Sequence, residues 1–191
     1  MRTLEVRYDA PGAANAIAGL LREALASYQP AQPAVLCLGT DHYLGDCFGP
    51  LVGTILEEHG LAVPVVGTLK KPVTNKDLAE AAQALRASGA CPIMVVDAML
   101  GKEAGVIRVG GWPMRPGMGR AQPLGELRLG GSVAKEVGGD DDYIALATAG
   151  LGLVIGMARV AAGAILEAFG RREGGALCLK LGQGLLWPQV V

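Results

Sequence analysis

Two aspartates carry the chemistry to which this sequence is best suited. Asp46 closes the polar stretch Gly39-Thr40-Asp41-His42-Tyr43-Leu44-Gly45-Asp46, just ahead of a helical pattern, and Asp97 directly follows the apolar run Ile93 to Val96. Two carboxylates brought together above a sheet can share one proton, one acting as an acid of raised pKa and the other as an ionised base. That division suits water attack on an amide. The same hard oxygens could equally hold a divalent metal. Taken singly, each aspartate also fits a helix cap or a turn. Around Asp46, the glycines Gly39, Gly45 and Gly49 would let backbone approach a ligand, and Thr40 and Asp41 add polar groups. This loop is therefore the expected substrate-binding segment, its amides offered to an oxyanion, although Gly-Thr-Asp can also form an Asx-type turn around Asp41.

Other candidates have simpler explanations. His42 and His59 show no metal-ligand spacing, and His59 falls at a helix end where positive charge is welcome. Asp140-Asp141-Asp142 reads as a solvated helix start. Gly150, Gly152 and Gly156 imitate a dinucleotide-binding turn, but the spacing is GxGxxxG and no acidic residue ends the next candidate strand. Small residues that let a buried helix lie close to a sheet account for them. The four cysteines, Cys37, Cys47, Cys91 and Cys178, have neither CxxC nor Cys/His spacing. They read as reduced thiols of a cytosolic protein, with Cys47 notable for its place beside Asp46.

The elements that must position these residues alternate. Residues 13–27 form an amphipathic helix through Ile17, Leu20, Leu21 and Leu25. Strand Ala34 to Leu38 follows, then the Asp46 loop, then a helix opened by Pro50 and stopped by Gly60. Val63 to Val66 is a second strand, and Thr74 with Asp77 heads a helix over residues 75–87. A third strand, Ile93 to Val96, ends at Asp97. Strands separated by helices imply right-handed crossovers and a mostly parallel central sheet flanked by helices, a three-layer α/β sandwich. Ligands bind such sheets beyond the carboxyl ends of the strands, where both aspartates fall. Val106 to Val109 and Leu127 to Val133 read as further strands, with a Pro- and Gly-rich loop, 110–125, between them expected to border the cleft. Leu151 to Phe169 reads as a long buried helix and Ala176 to Leu181 as a last strand.

The whole chain limits the function classes. Its 191 residues suit one domain, 1–191, with a core that needs no disulfide or metal. Net charge is −1, with seventeen dispersed Lys and Arg, which argues against nucleic acid and anionic lipid as partners. Arg2, Glu5, Arg7 and Asp9 interrupt any signal-peptide core. Residues 144–166 imitate a membrane span, but Arg159 near its centre would cost about 2.5 to 3.5 kcal/mol on insertion scales. A cytoplasmic protein without a membrane partner is expected, and a homo-oligomer is left open.

Four stretches in the right order resemble the family of YyaC-type sporulation proteins: LGTDHYLGDCFGPLVGTIL, GTLKKPVTNKDL, VVDAMLGKEAGVIRV and MRPGMGRAQPLGEL, together covering most of residues 34–134. The later stretch LATAGLGLVIGMARVAAGAI is similar in placement to that family's last helix but lacks the polar segment before it. Through this family the chain resembles the spore germination protease and hydrogenase maturation endopeptidase superfamily. The resemblance implies a maturation-protease-like fold and a sporulation-associated peptidase, cytoplasmic or in the forespore, with Asp46 and Asp97 as its two essential acids. It implies a peptide or protein substrate, spore proteins among the candidates, or in the alternative a non-catalytic sporulation factor that binds a peptide segment in the same cleft. The endopeptidases place two acids and a histidine around nickel. Here Thr74 stands where many relatives have histidine, so neither a metal site nor a cofactor is expected.

Overall fold

The computed structural model describes residues 2–28, 32–111 and 124–170. In chain order the elements are β1 (Leu4–Arg7), α1 (Ala13–Ala26), β2 (Gln32–Cys37), α2 (Phe48–Glu58), β3 (Val65–Val66), α3 (Leu78–Ala87), β4 (Ala90–Gly101), β5 (Val106–Gly110), β6 (Leu127–Lys135), α4 (Asp141–Ala147) and α5 (Leu151–Phe169). The strands form one six-stranded sheet, ordered β1-β5-β6-β4-β2-β3. The inner ladders β3-β2, β2-β4 and β4-β6 are parallel, while β5 and β1 add an antiparallel edge. This is the expected mostly parallel α/β sandwich.

Alternation along each strand divides the residues between two faces. On one face Val35 and Cys37, Met94 and Val96, Leu127 and Leu129, and Ile107 and Val109 lie in register. They join one core with Ile17 and Leu21 of α1, Phe48, Val52 and Leu56 of α2, and Val154, Met157 and Ile165 of α5. On the opposite face Ala34, Leu36, Ile93 and Val95 pack with Leu78 and Leu85 of α3. The α5 helix is long and apolar enough to pass for a membrane span by length and composition. Here its buried residues, from Val154 to Leu166, face the core between α1 and α2. Gly156 fits the close-packing explanation, because a Cβ there would lie 2.8 Å from the Tyr8 ring.

Several boundaries differ from the sequence-based expectation. β1 was not anticipated; its Leu-Glu-Val-Arg pattern alternates half-buried and exposed residues, as an edge strand covered on one face should. α3 begins at Leu78 rather than at residue 75. Thr74 Oγ1 donates to Asp77 Oδ2 at 2.8 Å, so the two side chains bond each other ahead of the helix. α2 starts at Phe48, two residues before Pro50, and its expected stop is present: Gly60 has φ 65°, and Leu61 N–H donates to Leu56 O at 3.0 Å. β4 does not end at Asp97 but runs on to Gly101, since β6 pairs with it beyond that point. Most of the expected loop over 110–125 and the expected strand Ala176 to Leu181 lie outside the described residues.

Candidate active site

A mismatch in strand length creates the site. β2 ends at Cys37, opposite Val96, and Leu38 N–H makes a last bond to Val96 O at 2.8 Å before the chain turns away. Asp97 is the next residue of β4, paired on its other side with Gly130 of β6. Its side chain shares the face of Val95, two residues earlier, and so projects on the α3 side of the sheet rather than into the main core.

The departing chain must fold back within a few residues to start α2. Thr40 Oγ1 accepts from His42 N–H at 3.3 Å, making the turn expected of Asp41 with the neighbouring hydroxyl instead. Gly39 has φ 134°, and a Cβ there would lie 2.0 Å from the Asp46 carbonyl oxygen; at Gly49 it would lie 2.0 Å from that of Leu38. Loop and helix start are therefore packed backbone on backbone. Phe48, fully buried, lays its ring over Gly131, where a Cβ would come within 2.7 Å of it, and this anchors the chain two residues after Asp46.

The role expected of the loop glycines needs correction. Gly39 N–H donates to Val73 O and Gly45 N–H to Leu146 O, each at 3.0 Å, while Gly49 lies inside α2 against Leu38. These groups close the loop on its surroundings, and the Gly39 and Gly45 amides are not free for an oxyanion. Thr40 is half-buried and gives a backbone hydrogen bond to the Asp46 carboxylate; Asp41 is exposed, 3.9 Å from His42 Nε2.

Burial is the main influence on both aspartates, and the Asp46 charge adds to it at Asp97. Burial raises the Asp46 pKa, and the bond from the Thr40 backbone partly lowers it again. Asp97 is pushed up to about 7, chiefly by burial, with the Arg128 guanidinium lowering it, the Asp46 charge raising it and the Ala98 amide lowering it. Arg128 Nη2 lies 3.9 Å from Asp97 Oδ2, and both side chains are 21% exposed. Cys47, beside Asp46, is held in its thiol form. Its thiol donates to Tyr43 O at 3.3 Å, and burial with the charges of Asp41 and Asp46 raises its pKa.

Sequence reasoning missed two neighbours of this pair. Arg128 was hidden in a strand segment, although Leu127-Arg128-Leu129 already places a lone cation on the face opposite two core leucines. Tyr143 of α4 packs edge-on against Tyr43, with ring centroids 5.1 Å apart; its pKa is raised first by the hydrogen bond with Tyr43 and by desolvation, with the Asp46 charge a smaller contribution. Beyond Asp97, on the same face of the sheet, a polar cleft of about 370 Å³ is lined by residues including Glu5, Met99, Lys102, Arg108 and Ser132.

The chain folds as a mostly parallel six-stranded α/β sandwich. It is similar to the [NiFe] hydrogenase maturation protease HycI from Thermococcus kodakarensis KOD1, with a TM-score of 0.54 over 78% of this chain and 98% of that one, at 16% identity. Identity so low speaks for the fold alone. By sequence the chain belongs to the family described as a protein of unknown function (DUF1256), which it matches over residues 5–164. It is 34% identical over 164 residues to the uncharacterized protein YyaC of Bacillus subtilis (strain 168), covering 82% of this chain and 79% of that protein.

A nickel ion does not fit the described residues. Among the described residues no group of three or more His, Cys, Asp and Glu comes together. Thr74 is bonded to Asp77, His59 Nδ1 lies 2.9 Å from Ile55 O, and a guanidinium already stands beside Asp97 where a cation would sit.

Proposed function

We propose that the protein is a peptidase in which Asp46 and Asp97 jointly activate water against a peptide carbonyl. The observation that carries this is the position of Asp97: a desolvated carboxyl at the open end of β2, pushed up to about 7, with the Asp46 charge contributing to the rise. One shared proton is then held at Asp97, and Asp46 is the ionised partner. In the forward reaction Asp46 takes a proton from water as its oxygen bonds to the carbonyl carbon, and the C=O π electrons pass to the carbonyl oxygen. When the tetrahedral adduct collapses, the C–N bond breaks and the leaving nitrogen takes the proton from Asp97. Amide and water become acid and amine, and the proton on Asp46 restores the starting count. The substrate is proposed to be a protein or peptide of the sporulating cell, cleaved in the cytoplasm or forespore without metal or cofactor.

A second reading, a non-catalytic factor that binds a peptide in the same cleft, draws support from the surface. The exposed large hydrophobic residues of the described chain, Tyr43, Leu44, Val137, Tyr143, Ile144 and Leu151, lie in the Asp46 loop and around α4. The two readings part in one experiment. Purified protein is incubated with small acid-soluble spore proteins and with a sporulating-cell lysate, and new termini are read by mass spectrometry. Cleavage lost on Asp97→Asn supports the peptidase. Retention of intact protein on the immobilised chain, with no new termini, supports the binder.

A further inference from the structure

Arg128 differs from the arginines that close on a carboxylate elsewhere in the described residues. Arg7 meets Asp9 at 3.0 Å, and Arg22, Arg86 and Arg108 close directly on Glu167, Glu126 and Glu5. Arg128 stops 3.9 Å short of Asp97, beyond hydrogen-bond reach, and its Nε is buried with no partner among the described residues. A buried donor left unmade forfeits its hydration without compensation. This under-bonded guanidinium stands on the sheet face that carries Asp97, on the residue of β6 paired with Val95. Meanwhile the Gly39 and Gly45 amides, the expected source of oxyanion donors, are spent on Val73 and Leu146.

We propose that Arg128 is the electrophile of the site, taking the carbonyl oxygen of the bound peptide and holding the charge that oxygen gains as water adds. The inference rests on the peptidase reading. While Asp97 carries the shared proton, no ionised carboxylate stands within ion-pairing distance of the guanidinium among the described residues, and the side chain is 21% exposed. As the π electrons reach the carbonyl oxygen, Arg128 balances the new charge; they return to carbon when the C–N bond breaks. The planar fork suits an oxygen acceptor better than an ammonium would.

The test is steady-state cleavage of a small acid-soluble spore protein by wild type, Arg128→Gln and Arg128→Lys, each at its own pH optimum, with thermal melts in parallel. Arg128→Gln is expected to lower kcat by about 10²- to 10³-fold, as loss of an oxyanion donor does, with KM changed less than about threefold. Arg128→Lys should recover about tenfold of that loss, since it restores charge but not the fork. If Arg128→Gln fails to fold, Arg128→Lys decides alone, and wild-type kcat in it overturns the proposal. Three results from a folded Arg128→Gln also overturn it: kcat within about threefold of wild type, a loss confined to KM, or a loss that vanishes at the variant's own optimum. The last would show that the arginine acts only by setting the Asp97 proton. A wild type that cleaves nothing removes the peptidase reading and this inference with it, whereas an active wild type beside an equally active Arg128→Gln removes only the role of Arg128.

Discussion

The two faces of the sheet were built to different rules, although the same strands make both. Val96 and Asp97 are neighbours on β4, yet Val96 is fully buried in the core made with α1, α2 and α5, and Asp97 turns to the other side. There α3 covers the β2-β4 half through Leu78 and Leu85, and the β6-β5-β1 half carries Arg128, Arg108 and Glu5. One face holds the fold together. The other trades packing for charges held in a partly desolvated place, which is where shifted proton affinities are found.

The largest effect should come from removing chemistry while leaving packing alone. Asp46→Asn and Asp97→Asn are each expected to lower cleavage by at least about 10³-fold, with the double variant no worse than either single, because the two carboxyls act as a unit. Cleavage should also decline above about pH 7, as Asp97 loses the proton it must deliver. Initial rates over pH 5 to 9 would check both points. Losses that multiply in the double variant would mean the residues act independently and would break the contrast drawn between the faces.

A change on the packed face should do the reverse. Phe48→Ala removes a fully buried ring from over Gly131 and should cost about 3 to 5 kcal/mol of stability. Urea denaturation would measure it. Because Phe48 anchors the chain after Asp46, the folded remainder should also be less active. A cost below about 1 kcal/mol would mean that the loop is held by its backbone contacts instead.

Next in size is a stability change of opposite sign. The folded pKa of Asp97, about 7, lies above its ordinary value of 3.8, so folding disfavours the ionised carboxylate. Between these values the native state binds a proton that the unfolded chain has released, and stability falls as pH rises through that window. Asp97→Asn, which cannot ionise, should therefore be more stable than wild type at pH 8, on the order of a few kcal/mol, with the gain gone near pH 4. Melts of both proteins across that range would show it. A variant less stable at every pH would mean that the ionised carboxylate is worth more to Arg128 than its desolvation costs.

This asymmetry also explains what could be seen in the sequence. The parallel strands and their helices were legible because runs such as Ala34 to Leu38 and Ile93 to Val96, buried on both sides, give uninterrupted apolar signals. Asp46 and Asp97 stood out against those runs. β1 gives a weaker signal, since an edge strand covered on one face shows only four alternating residues. The extension of β4 through Asp97 depends on pairing with β6, a partner some thirty residues away whose register nothing local announces. The glycines of the Asp46 loop are legible in the sequence, but what they approach is not. Composition shows that backbone comes close to something at Gly39 and Gly49, and only the fold shows that the something is the Asp46 and Leu38 carbonyls.

The smallest effect should appear within β1, where both rules meet in consecutive residues. Glu5 pairs with Arg108 across the β1-β5 ladder on the charged face, with side chains 50% and 43% exposed. Val6, next in the chain, is paired with Ile107 and packs against the main core. An exposed ion pair contributes about 0 to 1 kcal/mol, whereas removing two partly buried methyl groups should cost about 1 kcal/mol or more. Glu5→Gln is therefore expected to shift the urea midpoint less than Val6→Ala. The Glu5→Gln shift should shrink further at high salt, which screens the pair, while the Val6→Ala shift should not. If Glu5→Gln proved the costlier and its cost survived salt, the charged half of the face would be holding the edge of the sheet in place. Arg108 and Glu5 would then have to be counted with the packing that supports the site rather than with the open cleft beside it.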